Sequence, residues 1–204
     1  VDDGRRAGDL MAAIEITADD ELERMVAIAR TAGERVATIY RQHLEAAIEV
    51  ELKAPGDPVT AADTEANELI CDALRSSFED AAIVAEEDAP TGAALAETLL
   101  HARVFFVDPL DGTREFVARK PDFAVMIGVA VDGHAAAGVV LSPADGTLVA
   151  GRVGARAFVQ RPDGSRDLLM VSACRRFQEA RMLVSRSHRP PIVEPLCRRL
   201  GARD

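Results

Sequence analysis

Two carboxylates three positions apart, Asp108 and Asp111, mark the stretch of this sequence best suited to chemistry. They stand in Val107-Asp108-Pro109-Leu110-Asp111-Gly112-Thr113-Arg114-Glu115-Phe116. An apolar run before them, Val104 to Val107, reads as a short buried strand. Pro109 fixes its own φ and keeps Asp108 out of helical geometry. Gly112 permits a tight turn and lets another group approach the backbone. From Thr113 the chain can open a helix, whose free N–H groups attract an anion. One loop at a strand end thus offers two cation-binding carboxylates beside a phosphate-sized donor site, as metal-assisted phosphoryl chemistry requires.

The triplet Asp-Gly-Thr is not specific by itself. It recurs at Asp145-Gly146-Thr147 between two apolar runs, where it reads as a plain hairpin turn. A calcium loop of the EF-hand type needs alternating oxygen ligands and a glutamate at its twelfth position, and Pro109 and Phe116 fit neither demand.

The elements that must position this loop follow from periodicity. Leu22, Met25, Val26, Ala29, Val36, Ile39 and Tyr40 recur at helical spacing behind the capping residues Thr17 to Glu21, predicting a long helix over 19–46 with His43 at the surface. Pro55-Gly56-Asp57-Pro58 is a breaker cluster. Thr60 can then cap a second helix running to about Ser77, with Asp63 near capping-box spacing. Asp63 could equally sit beside the metal loop and orient a water, and spacing leaves the two readings open. Ala81 to Ala85 reads as a strand ending in Glu86-Glu87-Asp88, acids that repel unless solvated or neutralised by a cation. A modest helix or loop over 91–101 separates it from the central motif.

Further strands are predicted at 123–131 and 137–141, joined at Asp132-Gly133, then near 147–151, 156–160 and 168–172. They form an antiparallel meander with the two early helices on one face, an α+β layer. Met182 to His188 reads as an apolar strand ending in a hydroxyl-rich, basic loop. Pro190-Pro191 precedes a helix holding Val193, Leu196, Cys197 and Leu200, so an α/β unit begins there. The expected domains are a loose leader over 1–17, an α+β metal-binding domain over 18–178, and the start of a C-terminal α/β domain over 179–204 whose layer is incomplete in this chain.

Composition limits the partners. The net charge of −10 argues against nucleic-acid polymers and anionic membranes. It is unevenly spread: residues 1–151 carry a balance of −17 and residues 152–204 one of +7. A dianionic substrate would be repelled by the first part unless metal ions neutralised it, while the arginines of the second read mostly as solvated surface. No apolar run approaches the roughly 20 residues of a membrane span. Cys71, Cys174 and Cys197, odd in number and widely spaced, suit a reducing cytoplasm.

Several segments together resemble the inositol monophosphatase superfamily of Mg²⁺-dependent, lithium-sensitive phosphatases. They are Asp57-Pro58-Val59-Thr60-Ala61-Ala62-Asp63, Glu86-Glu87-Asp88 and Asp108-Pro109-Leu110-Asp111-Gly112-Thr113, in matching order and spacing. The resemblance implies a layered helix/sheet sugar-phosphatase-like fold, α+β followed by α/β. Arg114-Glu115-Phe116 and Ser185-Arg186-Ser187-His188 are similar to the 3′(2′),5′-bisphosphate nucleotidase branch, which acts in sulfur metabolism.

What the resemblance implies for single residues can be stated in full. Glu86, Asp108, Asp111 and the carbonyl of Leu110 would bind Mg²⁺, two or three ions in the family. Asp63 and Thr113 would orient the attacking water. Glu86 and Asp111, and the N–H groups of Gly112 and Thr113, would meet the phosphate, and Ser185 and His188 the nucleoside. The family also carries a Trp-Asp motif whose aspartate completes the metal site; it would fall beyond Asp204, and this sequence holds no Trp. The expected activity is removal of the 3′-phosphate from 3′-phosphoadenosine 5′-phosphate, giving AMP. The alternatives are an inositol-1-phosphate or other sugar-phosphate phosphatase, and a non-catalytic metal- or nucleotide-binding protein. A homodimer formed through the antiparallel layer is the assembly the resemblance suggests.

Overall fold

The computed structural model describes residues 19–46, 48–52, 58–79, 81–184 and 189–201. The first element is α1 (Asp19–Glu45), whose apolar stripe through Met25, Ala29, Ala32, Val36 and Ile39 is buried. β1 (Val50–Leu52) and β2 (Pro58–Thr60) make a small antiparallel pair. α2 (Ala61–Ser77) starts directly behind β2 and buries Ala62, Ala66, Ile70 and Leu74, packing along α1.

Seven strands then form one sheet in sequence order: β3 (Ala82–Ala85), β4 (Arg103–Asp111), β5 (Ala124–Val131), β6 (His134–Leu141), β7 (Leu148–Arg152), β8 (Phe158–Gln160) and β9 (Arg166–Leu168). β3 lies parallel to β4 and is joined to it through the exposed helix α3 (Gly92–Thr98); every later pair is antiparallel. Strict alternation sends Val125, Ile127, Val129 and Val131 inward, toward the face covered by α1 and α2. The other face shows Phe106, Met126, Val140 and Val149, each half-exposed. Asp132 and Gly133, at φ 48° and 76°, close the β5–β6 hairpin between Val131 and His134, the left-handed pair that an Asp-Gly turn supplies.

Four expectations are corrected. The central strand is longer than Val104–Val107: β4 runs on through Asp108, Pro109, Leu110 and Asp111, so both carboxylates stand on the strand and not in a loop behind it. Three steps on β4 from Asp108 to Asp111 oppose two on β5 from Met126 to Ala124, a bulge where Pro109 has no N–H to donate. The strand expected at 168–172 ends at Leu168, because the Arg161–Ser165 turn fixes Phe158 opposite Leu168 and β8 goes no further. Met170 and Val171 are exposed. Met182 to Val184 form no strand, having no partner strand among the described residues, and Leu183 is fully exposed. His43 is not at the surface but 5% exposed.

The chain divides into two compact units after Leu169, where the sheet's hydrogen bonding stops. The second unit holds a 3₁₀ turn at Phe177–Glu179 and, after the two prolines, α5 (Val193–Leu200), whose Cys197 Sγ lies 3.5 Å from Met182 Sδ.

A short helix, α4 (Thr113–Val117), leaves the end of β4. It stops in a Schellman arrangement: Lys120 N–H donates to Glu115 O at 2.8 Å and Arg119 N–H to Phe116 O at 2.9 Å. Arg119 occupies the left-handed position, φ 58°, where glycine is usual. Arg119→Gly should therefore raise stability by about 0.5–1 kcal/mol, read as an upward shift of the urea midpoint at unchanged slope. A lowered midpoint would show that the Arg119 side chain contributes more than its backbone costs.

Candidate metal and phosphate site

The parallel register builds half of the site. Ala85 pairs with Val107, and Glu86 N–H donates to Val107 O at 2.9 Å, so the next residue on each strand, Glu86 and Asp108, falls at the same sheet edge. Their carboxyls meet in a hydrogen bond, with Asp111 near enough to act on Asp108 electrostatically. Burial, then the charge and hydrogen bond of Glu86, then the charge of Asp111 push Asp108 up to about 7; only the Leu110 N–H, 3.2 Å from Asp108 Oδ1, pulls the other way.

α2 builds the other half. Asp63 is 1% exposed at its first turn. Its Oδ2 accepts from Thr60 N–H and from the Thr60 hydroxyl, both at 2.7 Å, completing a capping box. Its Oδ1 accepts from the Thr113 hydroxyl at 2.9 Å. The capping reading of Asp63 is therefore realised on Oδ2, while Oδ1 faces Thr113 of the central motif. Burial pushes the Asp63 carboxyl up, against these hydrogen bonds. Thr113 Oγ1 is also 3.0 Å from the carbonyl of Leu110. The hydroxyl has one proton for these two acceptors, and its lone pairs stay available to a donor such as water.

Gly112 joins the halves. It sits at φ 91°, and a Cβ there would meet Asp122 O at 2.8 Å and Phe123 Cα at 3.2 Å. The loop can lie this close to the start of β5 only as glycine. Behind it Tyr40, Phe116 and Phe123 pack ring on ring, with centroids 4.7–5.4 Å apart.

The structure therefore brings together Asp63 and Thr113, and separately Glu86, Asp108 and Asp111, with Leu110 and Gly112 between. Asp57, Ser185 and His188 lie outside the described residues. Asp145-Gly146 is a turn, as read, in which Asp145 accepts from Thr147 N–H at 2.9 Å. It borders a cavity of about 530 Å³ that Asp111, Asp122 and Ser142 also line. A larger cavity, about 690 Å³ beside Glu79, His101 and Arg103, lies at the starts of β3 and β4, the opposite sheet edge, and is lined by none of the candidate site residues.

One positioning contact has no counterpart in the sequence reading. Asn67, 4% exposed on α2, donates to Asp88 Oδ2 at 2.6 Å and so fixes the Glu86-Glu87-Asp88 turn to the helix that carries Asp63. Its signal was available: Asp63 and Asn67 stand four apart, a polar stripe beside the buried Ala62, Ala66 and Ile70.

Among the described residues, no three Asp, Glu, His or Cys side chains surround one point as ligands of an ion would. Asp108 and Glu86 instead face each other, and the nearby Glu86 carboxyl helps to push Asp108 up. The donors nonetheless suit Mg²⁺: they are hard oxygens, and close carboxylates that hold a proton near neutrality are electrostatically relieved by a cation in its place. Among the described residues no helix is long and apolar enough to cross a membrane.

A 3′(2′),5′-bisphosphate nucleotidase, CysQ, of Shigella flexneri is 33% identical over 181 residues, covering 88% of this chain and 69% of its own length. Inositol monophosphatase 1 of Xenopus laevis is 35% identical over 133 residues, 65% of this chain and 46% of its own. The crystal structure of the extragenic suppressor protein suhB from Bartonella henselae superposes with a TM-score of 0.64 at 31% identity, over 78% of this chain and 57% of its own. The chain thus spans between about half and two thirds of the relatives it matches. Residues 21–200 match the inositol monophosphatase family, and the chain belongs to that family.

Proposed function

We propose that the protein is a Mg²⁺-dependent phosphatase that hydrolyses the 3′-phosphate of 3′-phosphoadenosine 5′-phosphate to AMP and phosphate. The observation that carries the reading is the 2.9 Å hydrogen bond from Thr113 to the buried Asp63, set beside the Glu86–Asp108 pair. Glu86, Asp108, Asp111 and the Leu110 carbonyl would hold the metal. When bound, Mg²⁺ supplies Lewis acidity, acidifying a water and offsetting charge on phosphate oxygens. Asp63 Oδ1 holds the Thr113 hydroxyl so that a lone pair on Oγ1 can accept a hydrogen bond from the attacking water. Burial makes the Asp63 carboxylate a stronger base, suited to receive the proton that leaves that water through Thr113. N–H groups of Gly112 and Thr113 would take the phosphate, and Ser185 and His188 the nucleoside.

The nucleotide branch is supported by the relatives named as bisphosphate nucleotidases and by Arg114-Glu115-Phe116. The inositol-phosphate reading has the Xenopus relative in its favour. Assaying the complete protein with Mg²⁺ against 3′-phosphoadenosine 5′-phosphate, inositol 1-phosphate and fructose 1,6-bisphosphate decides the branch. Equal or faster turnover of inositol 1-phosphate would reject the nucleotide assignment.

A pH signature tests the metal site without substrate. Asp108 has a folded value of about 7 against an ordinary 3.8, and Asp63 shifts in the same direction. Raised carboxyls contribute stability that is full below the unfolded value and is lost as pH rises through the folded one. The metal-free protein should therefore lose stability between about pH 4 and pH 7. Mg²⁺ competes with the proton, so it should raise Tm more at pH 8 than at pH 5. Calorimetry at the two pH values reads this directly, and a Tm insensitive to Mg²⁺ at pH 8 would count against these carboxylates as ligands.

A further inference from the structure

His43 is a buried titratable side chain that the reaction outlined above does not use. It stands in the last turn of α1, is 5% exposed, and its ring lies nearly parallel to that of Phe116, at 13° and 5.9 Å between centroids. Its Nε2 is 3.0 Å from the carbonyl of Val117. A carbonyl can only accept, so Nε2 carries the proton and donates it. Among the described residues Nδ1 is buried with no hydrogen-bond partner. A buried polar atom left unpaired is costly.

The backbone accounts for its placement. The carbonyls of Gly112, Arg114, Glu115 and Phe116 are taken by the N–H groups of Phe116, Ala118, Lys120 and Arg119 in turn. A Schellman ending uses the carbonyls two and three positions inside the helix and leaves the last one, here Val117, without a backbone donor. His43 fills that gap from a different element. With its ring on Phe116 and its N–H on Val117, it fastens a five-residue helix, too short to be stable alone, to the long rigid α1. Thr113 is the first residue of that helix.

We infer that His43 is a positioning residue: it clamps the C-terminal end of α4 and so keeps the Thr113 hydroxyl aimed at Asp63. The catalytic consequence rests on the phosphatase reading; the clamp itself does not. Two variants separate the hydrogen bond from the packing. Glutamine can place its Nε2–H where the imidazole Nε2–H stands, whereas the amide of asparagine reaches only the position of Nδ1. H43N should therefore leave the Val117 carbonyl without a donor, and H43Q should restore one. In the full chain, H43N is expected to lower kcat by about tenfold or more, because the Thr113 hydroxyl is no longer held in line with the water. It should also speed amide exchange at Arg119 and Lys120, the N–H groups that close α4, by about tenfold. H43Q should return both to near the wild-type values.

Exchange is measured without substrate or metal. Wild-type protein that turns over no phosphate ester would overturn the phosphatase reading and leave the exchange comparison to judge the clamp. Unchanged exchange and unchanged kcat in H43N would overturn the clamp, as would a change in KM alone. If H43N does not fold, H43Q decides: retained kcat and slow exchange support the clamp, and loss of both in a folded H43Q overturns it.

Discussion

Asp108→Asn should cost at least about a thousandfold in turnover, or about 4 kcal/mol of barrier, while leaving the fold intact. The substitution keeps the size of the side chain and removes the charge that would hold a divalent ion. Its effect on stability should run opposite to its effect on activity. In the metal-free protein at pH 8, Asp108 is ionised against Glu86 and Asp111 in a half-buried place. An amide there can donate to Glu86 as the protonated acid does, with no like charge to oppose. D108N should thus melt no lower than the wild type at pH 8 without Mg²⁺, and should lose the Mg²⁺-dependent rise in Tm. Steady-state assays and calorimetry on one preparation check both. A D108N protein with turnover within tenfold of wild type would remove the carboxylate–metal reading altogether. A protein that only binds metal or nucleotide has no turnover for the substitution to remove, so the same assay separates an enzyme from a binder.

Thr113→Val is expected to cost about a hundredfold to ten-thousandfold in kcat, the range of positioned proton-transfer groups. Valine keeps the shape and deletes only the hydroxyl that spans the 2.9 Å to Asp63. Asp63→Asn should cost as much in kcat, but with a second effect. Asp63 Oδ2 also accepts from Thr60 N–H and from the Thr60 hydroxyl, so weakening that acceptor should lower stability by about 0.5–2 kcal/mol, whereas T113V should be milder. If the two side chains work as one unit, the double variant will be little slower than either single one. Additive losses would mean that Asp63 and Thr113 act on separate steps. Normal kcat in T113V would sink the water-orienting role.

These variants also show which parts of the molecule could be read from the sequence. The 3.6-residue spacing of α1 and α2, the Asp-Gly turn at Asp132-Gly133, and the order of β5 to β8 were all legible. Each rests on local chemistry: one apolar face, one left-handed turn, one alternating strand. The types of the site residues were legible for the same reason, since carboxylates at the ends of apolar runs carry their own signal.

The rest was decided by contacts between distant residues. Glu86 reaches Asp108 only because β3 and β4 are parallel and Ala85 pairs with Val107, and register is a property of two strands together. Thr113 meets Asp63 across fifty positions because α4 is held against α2 by a bulge in β4 and a glycine that lies on the start of β5. His43 looked like a surface histidine because the helix spacing alone does not reveal what covers its last turn; Phe116 and Val117, far along the chain, cover it. The strand expected at 168–172 failed for the converse reason: an apolar run becomes a strand only where a neighbour offers a backbone to pair with, and β8 ends opposite Leu168. By itself, then, the sequence determined which side chains could do the chemistry and which segments would be regular. Tertiary structure alone decided which of them meet, because hydrogen bonds and carboxylate repulsion act over a few ångströms, and only the folded backbone sets those distances.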